Sequence, residues 1–67
     1  MSLIKYRVDL SGLPADERSN LIDRIEAVAF NGLHWEPGFQ SGQFFLDESQ
    51  DPDALDLPAS SRLFRLN

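Results

Sequence analysis

Residues Leu3 to Gly32, "LIKYRVDLSGLPADERSNLIDRIEAVAFNG", contain the two patterns from which the topology is predicted. Between Leu3 and Leu10 the side chains alternate between an apolar set and a mixed, partly charged set. This period of two is typical of a half-buried β-strand, and the β-branched and aromatic residues in it favour the same structure. The alternation predicts a strand whose core-facing residues are Ile4, Tyr6, Val8 and Leu10.

Beyond Ser11-Gly12 the apolar spacing changes to that of a helix, and it predicts one helix over residues 14–30. Pro14 suits the first turn because that turn needs no N–H from it, and Gly32 suits a left-handed stop. Phe30 falls off the apolar arc, which makes it a second candidate contact for a partner. The arc predicted to face the sheet consists of Leu21, Ile22, Ile25, Val28 and Ala29.

Outward from this stretch, "LHWEPGFQSGQFFLD" predicts strands at about 33–36 and 43–47, joined by an irregular hairpin. Glu36–Phe39 fits a type II turn and Ser41-Gly42 fits a second turn, so the sequence leaves open which one closes the hairpin. "DPDALDLP" predicts one short helical turn that Asp51 caps, and "SRLFRLN" predicts a last strand.

The predicted order is therefore β-α-β-β-(short α)-β, in one small domain over residues 1–67. This is the ferredoxin-like, split βαβ order with a shrunken second helix. The fold class expected is α+β, with one main helix packed on a mainly antiparallel sheet. Because many functions occur on such a topology, the fold alone indicates none of them.

Composition narrows the function classes. The chain has 67 residues, no cysteine and one histidine, which excludes disulfides and thiolate zinc sites. No cofactor or nucleotide motif is found, and we expect neither metal nor cofactor. A core of this size supplies only about 3–5 kcal/mol, so self-association or a protein partner is the expected support. Without a continuous apolar run of about 18 residues, a soluble, cytoplasmic protein is expected.

Acidity is concentrated in one segment, residues 47–56. It holds five carboxylates and no base, and since the net charge is −5, the rest of the chain sums to zero. A calcium loop of EF-hand type starting at Asp47 would need glycine at Pro52 and glutamate at Pro58. Mimicry of a phosphate backbone needs charge spread over a face. We therefore predict a solvated, helix-capping loop without specific metal.

His34 and Glu36 share one strand face and could act as a base and its orienting carboxylate. A surface contact is the more ordinary role of such a pair, and no nucleophile can be placed beside it. A small enzyme using His34 and Glu36 is thus a second alternative.

The sheet face away from the helix is the better candidate site. The alternation predicts that Tyr6, Val8, Trp35, Phe44, Leu46 and Phe64 face the helix, and that Lys5, Arg7, His34 and Glu36 lie on the outer face. A small non-catalytic protein-interaction module is predicted, acting as a homo-oligomer, most simply a dimer, or with another protein. The first alternative is an acidic regulator that binds nucleic acid or inhibits a nucleic-acid-binding protein. The predicted partner-binding residues are Leu3, Phe45, Leu63, Arg65 and Phe30.

Overall fold

A computed structural model describes residues 2–66, and its elements follow the predicted order. One α-helix lies on one face of a four-stranded sheet, and a short 3-10 helix, η1, replaces a second helix. The elements are β1 (Leu3–Asp9), α1 (Ala15–Val28), β2 (Phe30–Trp35), β3 (Ser41–Asp47), η1 (Pro52–Leu55) and β4 (Arg62–Arg65).

The sheet has the strand order β2-β3-β1-β4, and each neighbouring pair is antiparallel. Since β1 and β2 both run antiparallel to β3, they are parallel to each other with β3 between them. This is the split βαβ arrangement. The predicted α+β fold with its ferredoxin-like order is confirmed.

The core lies between α1 and the covered face of the sheet. Leu21 and Ile25 of α1 are fully buried, and Tyr6 and Phe44 stack beneath them with ring centroids 5.7 Å apart. Ile22 and Ala29 are partly buried against this core. Val28 was predicted to be part of the buried arc, but it is 43% exposed because η1 is too short to cover that flank of α1.

The helix ends earlier than predicted. It spans Ala15–Val28 rather than 14–30, and Ala29 is already extended at φ −73° and ψ 140°. Asn31 and Gly32 do adopt positive φ, at 63° and 74°, but they lie inside β2 and not at a helix stop. Between the Phe30–Phe45 and His34–Gln43 pairs, β2 advances four residues while β3 advances two. The positive φ values accommodate this bulge.

The turn at Glu36–Phe39 closes the β2–β3 hairpin. The N–H of Phe39 donates to the carbonyl of Glu36 at 3.1 Å, and Gly38 has φ 95°. A second turn at Ser41-Gly42 is wrong, because both residues belong to β3. A Cβ on Gly42 would lie 3.0 Å from the carbonyl oxygen of His34, so this glycine serves close strand contact instead.

The acidic segment contains the helical turn that the sequence predicted. The side chain of Asp51 accepts a hydrogen bond from the N–H of Asp53 at 2.9 Å, which caps η1. Leu55 is buried and Leu57 packs against the core. The loop is thereby fixed to the domain by apolar contacts and by its own cap.

Candidate functional site

The face of the sheet opposite α1 carries the candidate site, which we call the open sheet face. Strand register assigns its residues, because side chains directly opposite each other on paired strands lie on the same face. Its rows across the sheet are Phe30, Phe45, Lys5 and Leu66; then His34, Gln43, Arg7 and Phe64; then Glu36, Ser41, Asp9 and Arg62; with Leu3 and Asp47 at one end.

Four apolar side chains, Phe30, Phe45, Phe64 and Leu66, form an apolar patch on this face. Phe30, Phe64 and Leu66 are 47%, 43% and 46% exposed, and Phe45 on β3 lies directly opposite Phe30 on β2. The ammonium of Lys5 lies 5.8 Å from the centroid of the Phe45 ring, a cation–π contact. The patch therefore has two parts, Phe30 with Phe45 on β2 and β3 and Phe64 with Leu66 at β4, and Lys5 and Arg7 of β1 lie between them.

The structure brings three of the five predicted partner-binding residues to this face: Leu3, Phe45 and Phe30. The face assignments of Leu63 and Arg65 are wrong, since Leu63 pairs with Val8 and Arg65 with Tyr6, on the helix side. The last strand is reversed in phase relative to the prediction, and this places Phe64 on the open sheet face.

The cause is the turn before β4. The N–H and hydroxyl of Ser61 both donate to the carbonyl of Pro58, at 3.0 and 2.7 Å, and β4 then begins with Arg62 opposite Asp9. The sequence did not place Phe64 and Leu66 on the open sheet face, because apolar residues occur in both phases of "RLFRL". A signal was present nonetheless, because Phe64 and Leu66 are two positions apart and therefore lie on the same face of the strand.

Glu36 lies at the centre of a polar network at one end of the face. Its carboxylate accepts hydrogen bonds from Nε of Arg7 at 3.0 Å, from Oγ of Ser41 at 2.5 Å and from Nε2 of Gln43 at 3.0 Å. These donors, Arg7 foremost, lower the pKa of Glu36 from 4.5 to about 2. The same contact raises the pKa of Arg7.

This network decides how Glu36 can act. Its oxygens accept from Arg7, Ser41 and Gln43, and His34 is not among these donors. A carboxylate with a pKa of about 2 is also a weak base at neutral pH. His34 and Glu36 therefore lie on one face, as predicted. The carboxylate of Glu36, however, forms an ion pair with Arg7.

Charge on the open sheet face is balanced. Lys5, Arg7 and Arg62 are matched by three carboxylates, Asp9, Glu36 and Asp47. Asp9 is held ionised because the hydroxyl and the N–H of Ser11 donate to it, which lowers its pKa. The face consequently presents apolar surface with a mixed polar rim.

Both edges of the sheet are poor templates for another strand. The edge strand β4 has only four residues and begins and ends with arginine, and the edge strand β2 carries the bulge at Asn31 and Gly32. Short, charged or bulged edges resist pairing with a further chain. Contact through the face is thus favoured over extension of the sheet.

Within residues 2–66 there is no group of three or more histidine, cysteine or acidic side chains arranged to hold a metal ion. Over the same residues, no helix combines the length and the apolar character needed to cross a bilayer. The chain matches no protein-family model, no curated protein and no solved structure at a significant level. The function must therefore be argued from the geometry.

Proposed function

We propose that this chain is a small non-catalytic protein-interaction module that associates with a second copy of itself through the open sheet face. The observation that carries the proposal is the apolar patch of Phe30, Phe45, Phe64 and Leu66, which no helix of residues 2–66 covers. Burial of such surface is favourable by roughly 25 cal/mol per Å². That gain is large beside the small stability expected of so short a chain.

The open sheet faces of two copies can pack against each other because the charges on this face are balanced. A face with a strong net charge would repel its own copy, whereas three bases and three acids leave no net repulsion. The same balance disfavours single-stranded nucleic acid, whose binding depends on neutralised phosphates. Arg7 in addition is already engaged by Glu36 at 3.0 Å.

Size also supports a face-to-face dimer. A contact of standard size covers about 800 Å² per partner, which is roughly a fifth of the 4248 Å² surface of this chain. One face of a two-layer domain offers an area of that order. A symmetric dimer is also the commonest closed assembly of identical chains.

Sedimentation equilibrium over a range of chain concentrations tests the proposal. We expect a dimer at micromolar concentration, and we expect Phe45→Lys to raise the dissociation constant about tenfold or more, since it replaces an apolar contact with a second positive charge beside Lys5. Phe30→Ser should act in the same direction because Phe30 lies in the same row.

Phe39→Ser is the matched control. Phe39 is 70% exposed, more than Phe30, but it lies in the hairpin turn and contacts the ring of Trp35, on the helix side of the sheet. This variant should leave dimerisation unchanged. A chain that stays monomeric up to about 100 µM, or one in which Phe39→Ser and Phe30→Ser act equally, contradicts the proposal. Salt-dependent binding of a single-stranded oligonucleotide to the open sheet face would contradict it as well.

A further inference from the structure

On the opposite side of the molecule, a groove runs between α1 and η1. Its main cleft has a volume of about 390 Å³, and Gln50 spans one end by donating from Nε2 to the carbonyl of Val28 at 3.4 Å. The groove exists because η1 has only four residues, where this topology has room for a second full helix on the sheet. Its apolar lining is formed by Ala27, Val28, Leu46, Ala54 and Leu55.

The borders of the groove are acidic. Two further clefts of about 340 and 380 Å³ adjoin it; the first shares Arg24 with the main cleft, and the second, on the β4 side of η1, shares Asp56 and Leu57 with the first. The charged residues that line the three clefts are one guanidinium, Arg24, and four carboxylates, Glu17, Asp51, Asp53 and Asp56. Their net charge is −3.

Arg24 does not offset this charge for an incoming ligand, because Asp56 already engages it. Nη1 of Arg24 lies 3.9 Å from Oδ2 of Asp56 and 3.3 Å from the carbonyl oxygen of the same residue. The carboxylates of Asp51 and Asp53 belong to exposed residues beside an apolar floor. An apolar groove with an acidic border is complementary to an apolar stripe flanked by bases.

We propose that this groove binds an amphipathic helix of a partner protein, with leucine-sized side chains entering the main cleft and lysine or arginine side chains facing Asp51 and Asp53. Helix-in-groove recognition uses anchors at positions i, i+3, i+4 and i+7, a pattern that an elongated groove beside α1 can accept. The bound helix takes the place of the missing second helix. This site is separate from the open sheet face, and a dimer formed there leaves the groove accessible.

The probe is a fluorescently labelled peptide of about 16 residues, with leucine at the anchor positions and lysine elsewhere, measured by anisotropy. The control peptide has glutamate in place of each lysine. We expect saturable binding of the lysine peptide at micromolar concentration and none of the glutamate peptide. In NMR titration, the amides of Val28, Ala54 and Leu55 should shift, while those of Phe30, Phe45 and Phe64 should not.

Two matched arginine variants separate groove binding from general attraction to an acidic protein. Ala54→Arg fills the main cleft, whereas Ala15→Arg adds the same charge at an exposed position on the opposite side of α1. We expect Ala54→Arg to weaken binding about tenfold or more and Ala15→Arg to change it less than about twofold. Equal loss in both variants contradicts the proposal.

The acidic border is tested by the double variant Asp51→Asn with Asp53→Asn, in which asparagine can still cap η1. Binding should weaken about fivefold and should depend less on salt concentration. An unchanged affinity, or NMR shifts confined to the open sheet face, would overturn the assignment of this groove as the binding site.

Discussion

Arg7 on β1 and Glu36 at the end of β2 form an ion pair of 3.0 Å that reaches across β3, between residues 29 positions apart in the chain. Ser41 and Gln43 of the intervening strand donate to the same carboxylate. The network therefore connects three strands on a face that no other element of the described part of the chain covers. It fixes the outer side of the sheet with polar contacts where the inner side is fixed by apolar ones.

The first prediction concerns pH. The pKa of Glu36 is 4.5 in the unfolded reference and about 2 in the folded chain, so the unfolded chain binds more protons between these values. Stability from Glu36 is then fully present above about pH 4.5 and is lost as the pH falls toward 2. Melting temperatures followed over this range should fall steeply for the parent chain and less steeply for Glu36→Gln.

Ser49→Ala is a control for that experiment, because Ser49 donates to Asp47 in an exposed turn away from Glu36. It should keep the parent slope. If Glu36→Gln and the parent lose stability in parallel below pH 4.5, the ion pair does not stabilise the folded chain. The pKa of Asp9 is also lowered, and Asp9 supplies a part of the slope that both chains retain.

The second prediction concerns the core face of α1. Ile25→Asp places an unpaired carboxylate where the side chain is fully buried, and we expect a loss of more than about 4 kcal/mol. This is comparable to the roughly 3–5 kcal/mol that a core of this size supplies, so the variant should be largely unfolded in a circular dichroism spectrum.

Val28→Asp is the matched control, since Val28 is 43% exposed in the same helix. It should cost about 1 kcal/mol or less, chiefly because a negative charge opposes the dipole at the last turn. Cooperative melting of Ile25→Asp near the parent temperature would show that the core has been assigned to the wrong face.

The third prediction concerns the cap of η1. Asp51→Ala removes the acceptor for the N–H of Asp53 and should cost about 0.5–1 kcal/mol in urea unfolding. Asp51→Asn keeps an acceptor and should be nearly neutral. Amide exchange at Asp53 should accelerate in the alanine variant only; faster exchange in both would assign the effect to charge rather than to the cap.

The fourth prediction concerns calcium. In the acidic segment, the carboxylate of Asp47 accepts a hydrogen bond from Ser49, and that of Asp51 accepts one from the N–H of Asp53. Among residues 2–66, no three acidic side chains are grouped so that they could hold a metal ion. Titration calorimetry should detect no calcium binding tighter than about millimolar. A saturable heat at micromolar calcium, absent from the Asp51→Asn and Asp53→Asn double variant, would contradict this prediction.

The sequence predicted the elements whose periodicity is sustained, and it failed where register depends on a turn. The alternation in β1 and the arc of Leu21 and Ile25 correctly located the core, because burial on one face imposes a period. The phase of β4 came out reversed, because the hydrogen bonds between Ser61 and Pro58 set it and apolar residues occur on both sides of that strand.

The candidate sites show the same division. Phe30 and Phe45 could be predicted because both fall outside the core pattern, yet their opposition across β2 and β3 depends on the bulge at Asn31 and Gly32. The groove beside α1 could not be predicted, since Val28 fits the apolar arc and its exposure depends on the length of η1. The period of apolar residues in the sequence predicts which face of a helix or strand is apolar. Whether that face is buried depends on the length and position of the neighbouring elements.

The central position of β1 has a consequence for how the chain folds during synthesis. β1 is synthesised before its hydrogen-bonding partners β3 and β4. Asp9 can pair only once Ser41 has been added, and Tyr6 can pair on its other side only once Arg65 has been added. At about 5–20 residues per second, translation leaves β1 and α1 without their sheet for seconds. The complete sheet can therefore form only after β4 has been synthesised. The pairings of β1 with β3 and β4 are contacts between residues distant in sequence, and such contacts slow folding.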